Sequence, residues 1–324
     1  MVVQTSGSTG APKQVVLSAP AVRAAAQAGL DRLGGPGTWV LALPVTGVGG
    51  LQVLVRSIAG GTEPVPAADD LAGAILGLAP GRAYTSIVPT QLQRLDRAGR
   101  LGVLARLDAV LLGGAAADPD LVRRARSAGV RVVTTYGMTE TCGGCVYDGV
   151  GLDGVQVRIG PDGRVHLAGP VLFDGYADDP AATAAVLRDG WLRTGDLGRL
   201  DQQGRLELLG RVDDRVISGG VNVHLAAVER AVRSHPQVVD AAVTAVGDDE
   251  WGSRVVAVLV VSGAVPSLVA LRDHVGAGLP RTWAPRAVRV ISALPRLPGG
   301  KVDRLAVRAL AGGDPGSEDA QGQG

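Results

Sequence analysis

Two lysines stand in a chain whose other cations are arginines, and both fall where a compact charge could do chemistry. The sequence carries 32 Lys and Arg together, and only Lys13 and Lys301 are lysine. Where a composition drifts towards arginine, a lysine that persists is a candidate for a tight site that a planar guanidinium does not fit. Lys13 closes TSGSTGAPK. In that string Thr5, Ser6, Ser8 and Thr9 offer hydroxyls, and Gly7 and Gly10 let backbone N–H groups turn towards an anion. That is phosphate-binding chemistry. The string is not a Walker A loop, which needs glycine before the lysine and Ser or Thr after it; here Pro12 and Gln14 stand there. It is not GxGxxG either. Alone, a turn of this composition is more often only a turn. Lys301 ends LPRLPGGK, and a lysine after Pro-Gly-Gly is usually solvated.

The remaining composition narrows the field. Hydrophobic residues make up 46% of 324 positions and aromatics 3%, so the core must come from Val, Leu and Ala. A net charge of +1 carries no footprint of a nucleic acid or an anionic membrane. No apolar run reaches the ~20 residues of a membrane span, and polar Thr5 to Gly10 does not read as a signal peptide. The expectation is a cytoplasmic protein with no nucleic-acid partner and no membrane span. Cys142 and Cys145 form CGGC, which could be a redox pair or half a metal site. With no second CxxC and no nearby histidine, they read as two incidental thiols in a reducing compartment.

Positioning such residues takes ordered elements, and the chain supplies strands and helices in alternation. The strand WVLALP (39–44) precedes the helix 49–61. The strand TSIVP (85–89), a helix over 90–107 and the strand DAVLLGG (108–114) follow; then come the helix 118–129 and the strand 130–137. That order predicts an α/β domain with a parallel sheet. From about 155, VQVRI, RVHLAG and RLELLG, separated by turns, predict a small antiparallel sheet or distorted barrel. After GRVDDR (210–215) comes an α+β module with helices over 226–235 and 267–279 and strands over 239–247, 254–263 and 286–292. The expected domains are 1–209, a hinge at 210–215, a small mobile C-terminal domain at 216–311, and a disordered tail at 312–324.

TSGSTGAPK resembles the phosphate loop of the adenylate-forming superfamily of acyl-CoA synthetases, luciferases and peptide-synthetase adenylation domains. Further motifs follow in that family's order: GGAA (113–116), YGMTE (136–140), WLRTGD (191–196), GRVDDRVISGG (210–220) and LPRLPGGKVDR (294–304). The resemblance covers most of the chain and implies ATP, Mg²⁺ and coenzyme A as cofactor and cosubstrates. It implies that Thr5, Ser6, Gly7, Ser8, Thr9, Gly10 and Lys13 cradle phosphates, and that Gly113, Gly114 and Ala115 line an adenine pocket. Tyr136 and Gly137 would hold the base, with a core tyrosine as the bland alternative for Tyr136. Thr139 would meet the α-phosphate and Glu140 would bind Mg²⁺, a hard cation that prefers carboxylate oxygen. Asp196 would hold the ribose hydroxyls, and Arg211 would reach the ribose or a phosphate. Lys301 would bridge carboxylate and α-phosphate as the adenylate forms. The small domain would then turn about Asp213 and offer Ser218, Gly219 and Gly220 to the incoming thiol.

Within the family, residues 40–95 look most like the o-succinylbenzoate–CoA ligases of actinobacterial menaquinone synthesis. The implied partner is a small-molecule carboxylic acid, o-succinylbenzoate, and a homo-oligomer is left open. Val45, Gly49, Gly50, Thr85, Ser86 and Thr90 are candidates for the acid pocket, and Arg56 for a partner of a second carboxylate. Two departures stand out. Thr46-Gly47-Val48 occupies a place where such ligases often carry a histidine or aromatic, and, because the sequence starts almost at the phosphate-loop string, the expectation is a member that lacks the family's usual N-terminal subdomain. Another carboxylic acid, loading of a carrier protein, and a truncated non-catalytic nucleotide-binding remnant remain as alternatives.

Overall fold

The computed structural model describes residues 1–5, 13–67, 70–297 and 302–312, and for Asp213 the backbone alone. Two compact units divide between Leu209 and Gly210. The first runs β1 (Val2–Gln4), β2 (Gln14–Val16), α1 (Ala19–Leu33), β3 (Thr38–Leu41), α2 (Val48–Ala59), β4 (Val65–Pro66), α3 (Leu71–Leu76), β5 (Ala83–Ile87), α4 (Pro89–Arg97), β6 (Ala109–Leu112), α5 (Pro119–Ser127) and β7 (Val132–Met138). It continues with β8 (Gly143–Tyr147), β9 (Val150–Gly151), β10 (Gln156–Ile159), β11 (Arg164–Ala168), β12 (Gly175–Tyr176), α6 (Pro180–Val186), β13 (Leu187–Arg188) and β14 (Trp191–Leu200), and β15 (Leu206–Arg211) runs across the division.

One sheet of order β4-β3-β5-β6-β7-β8-β9 dominates this unit. Its first five strands are parallel, and β8 and β9 return antiparallel. The strands of a parallel sheet are covered on both faces, so they read as continuous apolar runs with the two faces alternating residue by residue. In β6, Val110 and Leu112 pack with Ile75 of α3, Leu92 of α4 and Leu121 and Ala125 of α5, while Ala109 and Leu111 join Leu30 and Leu33 of α1 and Val53 of α2 on the other face. The antiparallel sheet β10-β11-β14-β13, with β15 beside β14, follows, and a third sheet has the order β1-β2-β12.

Two differences from the sequence reading have local causes. The helix expected over 90–107 ends at Arg97, because Gly99 turns the chain to φ 64° and residues Leu101–Arg106 form a 3-10 turn instead. Helix α1 has no counterpart in that reading, although its ends are marked: the Ser18 hydroxyl accepts from the Ala21 N–H, Pro20 sits in the first turn, and Gly34 ends it at φ 99°.

The second unit holds the hairpin β16 (Arg215–Ser218) and β17 (Val221–His224), α7 (Leu225–Arg233), β18 (Val238–Asp248), β19 (Gly252–Val261), α8 (Leu268–Gly276), β20 (Ala287–Val290) and α9 (Arg304–Gly312). Its sheet runs β18-β19-β20. One face of β18 and β19, with Val243 and Ala257, packs on Val228 and Val232 of α7 and Leu271 of α8. The other, with Ala242 and Val258, packs on Val307 and Ala311 of α9.

Aromatics are few, and arginine serves them. Arg56 lies 5.1 Å from the Trp39 ring centroid, Arg158 3.9 Å from Trp191 and Arg286 3.4 Å from Trp251, while the His224 ring stands 5.1 Å from Trp283. All four tryptophans of the chain therefore carry a cation or an imidazole against the indole.

Both cysteines are buried free thiols, and burial pushes each pKa up to about 12. Burial favours the neutral thiol, so the reactive thiolate gains population only as pH approaches that value. At pH 8 the thiolate fraction is about 10⁻⁴. A disulfide-exchange reagent added to the native protein at pH 8 is expected to leave both cysteines unmodified and to titrate both after unfolding; a rapidly reacting native thiol would refute the burial. Among the described residues no cluster of three or more His, Cys, Asp or Glu could cage a metal. No helix of the described residues is long and apolar enough to cross a membrane.

Candidate active site

TSGSTGAPK stands between β1 and β2, and of this string Thr5 and Lys13 are described. β1 and β2 pair antiparallel with Gln4 opposite Gln14. At the base of the loop the Thr5 N–H donates to the Lys13 carbonyl at 2.9 Å, and the Lys13 N–H donates to the Thr5 hydroxyl at 3.3 Å. Ser6, Gly7, Ser8, Thr9 and Gly10 lie outside the described residues. The ammonium of Lys13 sits 4.5 Å from the ring centroid of Tyr176, a cation–π contact worth about 0.5–1 kcal/mol where exposed.

YGMTE ends β7 and enters a 3-10 turn, Thr139–Thr141. The Thr141 hydroxyl makes that turn. It accepts from the Met138 N–H at 2.9 Å and lies 2.7 Å from the Gly143 carbonyl, to which it donates. Cys142 then takes φ 52° and its N–H donates to the Thr139 carbonyl. Gly137 stands opposite Gly144 where the register of β7 and β8 shifts. A Cβ there would stand 2.1 Å from the Gly143 carbonyl oxygen and 2.7 Å from the Gly144 Cα, so no larger residue fits.

Glu140 is held at both ends. Its carbonyl accepts from the Phe173 N–H at 2.9 Å, and its Oε1 accepts from the Tyr176 hydroxyl at 2.9 Å. Burial, and then the adjacent Glu140 charge, raises the Tyr176 phenol well above its ordinary pKa, so it remains a donor. Four residues back, the Tyr136 hydroxyl donates to Asp196 Oδ2 at 2.8 Å. Burial, followed by the Asp196 charge, likewise raises that phenol. The Thr194 hydroxyl, buried, donates to the Val165 carbonyl at 2.8 Å and accepts from the Asp196 N–H at 3.1 Å, fixing the Asp196 backbone on β14.

Gly113, Gly114 and Ala115 follow β6, next to β7 in the parallel sheet. A Cβ on Gly113 would meet the Thr135 hydroxyl at 2.2 Å. Thr5, Lys13, Gly113 to Ala115, Tyr136, Gly137, Thr139, Glu140 and Asp196 all belong to the first unit. GGA and YGMTE lie side by side at the C-terminal ends of neighbouring parallel strands, the place where open α/β sheets bind ligands.

In the second unit, Arg211 ends β15 and precedes the 3-10 turn Val212–Asp214, which holds the backbone of Asp213. Ser218 is buried and its hydroxyl has no partner. Gly219 and Gly220, at φ 58° and 75°, make the two-residue loop between β16 and β17. Such a hairpin loop demands left-handed residues, so both glycines have a purely structural reason for being there. Lys301 lies outside the described residues; the flanking Arg296 and Val302 pair as an antiparallel bridge.

Arg56 corrects the sequence reading. It is buried, lies against the Trp39 ring and donates to the Tyr147 hydroxyl at 3.0 Å. It is a core residue and does not present a cation to a second carboxylate. Thr85 is also committed, its hydroxyl donating to the Val40 carbonyl at 2.9 Å. Ser86 is buried with an unpartnered hydroxyl. Val45 is exposed, and the N–H of Gly47, ahead of α2, donates to the Pro44 carbonyl. Sequence reasoning missed Thr141, Thr194 and Tyr176. Tyr176 had a signal: the chain has one Phe and four Tyr, and Phe173 and Tyr176 fall together in FDGY.

Over 96% of the chain and 85% of the relative, the sequence is 46% identical to the probable 2-succinylbenzoate–CoA ligase of Mycobacterium tuberculosis. The fold matches o-succinylbenzoate CoA synthetase (MenE) from Bacillus subtilis in complex with the acyl-adenylate intermediate OSB-AMP. That match has a TM-score of 0.84 and 30% identity and covers 95% of this chain and 68% of that one. It also matches ATP-bound MatB from Rhodopseudomonas palustris, with a TM-score of 0.85 and 27% identity, covering 95% of this chain and 67% of that one. Residues 1–176 match the AMP-binding enzyme family and residues 227–301 the C-terminal domain of AMP-binding enzymes. With a family model matching more than half of its length and a relative 46% identical over 85% of that relative, the chain belongs to the AMP-binding enzyme family.

Proposed function

We infer that the protein is an ATP-dependent acid–CoA ligase and that its acid is o-succinylbenzoate. The observation that carries the reaction class is the set of contacts joining Lys13, Tyr176 and Glu140 beside Tyr136 and Asp196. The acid rests on the succinylbenzoate ligases and synthetases that this chain resembles.

The chemistry asks two anions to meet. An oxygen of the acid's carboxylate attacks the α-phosphorus of ATP, a new P–O bond forms, and the bond to the β-phosphate breaks to release pyrophosphate. The thiol of coenzyme A then attacks the acyl carbon, and AMP leaves. Cationic donors offset the repulsion and the charge that builds in the transition state. Lys13 and the loop from Thr5 to Gly10 take the phosphates, Asp196 takes the ribose hydroxyls, and Tyr136 with Gly113 to Ala115 flanks the base. Thr139 meets the α-phosphate. Lys301 bridges carboxylate and phosphate in the first step, Arg211 reaches the ribose or a phosphate, Asp213 serves the changeover, and Ser218, Gly219 and Gly220 serve the thiol.

Glu140 suits Mg²⁺. A lone carboxylate with one oxygen tied to Tyr176 is no cage for a resident metal, and Mg²⁺ commonly takes one or two carboxylates together with substrate phosphates. When bound, the ion would neutralise phosphate charge. The test is ATP–pyrophosphate exchange by the purified chain. Exchange that requires o-succinylbenzoate, followed by thioester on addition of coenzyme A, is the expected result. Exchange with a different carboxylic acid only would replace the substrate, and none with any acid would remove the reaction class.

A further inference from the structure

The segment Phe173 to Ala177 stitches together two motifs that are far apart in sequence. On one side β12 pairs with β2, Gly175 opposite Val16 and Tyr176 opposite Val15. The N–H groups of Asp174 and Ala177 donate to the carbonyls of Val16 and Gln14 at 2.9 and 2.8 Å. On the other side the Phe173 N–H holds the Glu140 carbonyl. Tyr176 then repeats this link with its side chain. Its ring lies under the Lys13 ammonium and its hydroxyl donates to Glu140 Oε1.

The tyrosine is itself fixed. Its N–H donates to the Thr183 hydroxyl at 2.9 Å, and Phe173 packs against its ring with centroids 5.1 Å apart. A carboxylate that must present one oxygen to a metal gains from having the other hydrogen-bonded, because that fixes its rotation. A lysine that must meet an anion gains from a ring that limits where its ammonium rests.

We propose that Tyr176 is a positioning residue that acts through two others, its hydroxyl orienting Glu140 for the metal and its ring holding Lys13 for the phosphates. This rests on the reading of Glu140 as the metal ligand and of Lys13 as a phosphate contact. The hydroxyl and the ring are separable roles, and two substitutions separate them. Tyr176→Phe keeps the ring and removes the donor; Tyr176→Leu removes both.

The experiment measures binding rather than turnover. Mn²⁺ is titrated into wild-type protein and each variant in the presence of saturating ATP, with free Mn²⁺ read by electron paramagnetic resonance. Metal-free ATP affinity is measured in parallel by calorimetry. For Tyr176→Phe the Mn²⁺ affinity is expected to fall about 10-fold with metal-free ATP affinity unchanged, and Tyr176→Leu should weaken metal-free ATP binding as well. A general structural defect would instead weaken both measurements in the Phe variant, and that result overturns the proposal. Unchanged Mn²⁺ affinity in the Phe variant overturns the hydroxyl's role, and a Leu variant that binds metal-free ATP like wild type overturns the ring's. Glu140→Gln keeps the outcomes distinguishable. If it loses Mn²⁺ affinity while Tyr176→Phe does not, the tyrosine proposal alone fails. If neither variant moves the metal, the reading of Glu140 fails with it.

Discussion

Lys301→Ala is expected to lower acid-dependent ATP–pyrophosphate exchange by about 10²–10³-fold, the usual loss when one donor to developing charge is removed. Thioester formation from preformed acyl-adenylate should stay close to wild type. The asymmetry follows from where the charge lies. In the first step two anionic groups are forced together, and a compact ammonium between them stabilises the transition state more than the separated reactants. In the second step the phosphate is already joined to the acyl group and departs with AMP, so the same ammonium has less repulsion to offset. In a chain with 32 basic residues, a lysine kept here and another in the phosphate loop fit that need for a point charge. Equal losses in both steps would show that Lys301 supports the protein generally and has no special part in adenylation.

Gly137→Ala should strongly destabilise the first unit. The new Cβ would lie 2.1 Å from the Gly143 carbonyl oxygen and 2.7 Å from the Gly144 Cα, so backbone must move and no side chain can swing aside. Overpacking of this kind costs about 3 kcal/mol. For a unit of this size that lowers the thermal midpoint by roughly 10 °C. The displacement would also pass along the strand end to Thr139 and Glu140, so ATP–pyrophosphate exchange should fall even well below the new midpoint. Differential scanning calorimetry with exchange at 20 °C checks both. A variant melting with wild type would mean that β7 and β8 separate easily.

The candidate site is built largely from local strings, and the structure brings several of them together in the first unit. The hairpin base at Thr5 and Lys13, the strand end that carries Tyr136 and Glu140, and the turn after β6 are each one contiguous motif. The parallel sheet was legible too, since WVLALP and DAVLLGG have the unbroken apolar texture of strands buried on both faces. What escaped was long-range. Tyr176 lies 36 residues from Glu140, and no periodicity announces that contact. Arg56 was a candidate partner for a second carboxylate with no local signal behind it. Its true neighbours, Trp39 and Tyr147, come from other elements, and the bond to Tyr147 spans 91 positions. Helix α1 was missed for the opposite reason. Its caps are legible, but its alanine-rich middle offers a weak contrast between faces, and periodicity was the signal sought. Glycine misled in a third way. Gly219 and Gly220 suit a thiol passing close to backbone, yet the hairpin needs them with or without a ligand.

The four tryptophans make the protein a two-channel optical reporter. Trp39 and Trp191 belong to the first unit, and Trp251 and Trp283 to the second. Each indole rests against a cation or an imidazole held by its own unit, so its emission changes when that neighbour is released. Replacing the pair in one unit with phenylalanine leaves light from the other alone. A denaturant titration of the two paired variants therefore resolves two melting curves from one chain, without attaching any dye.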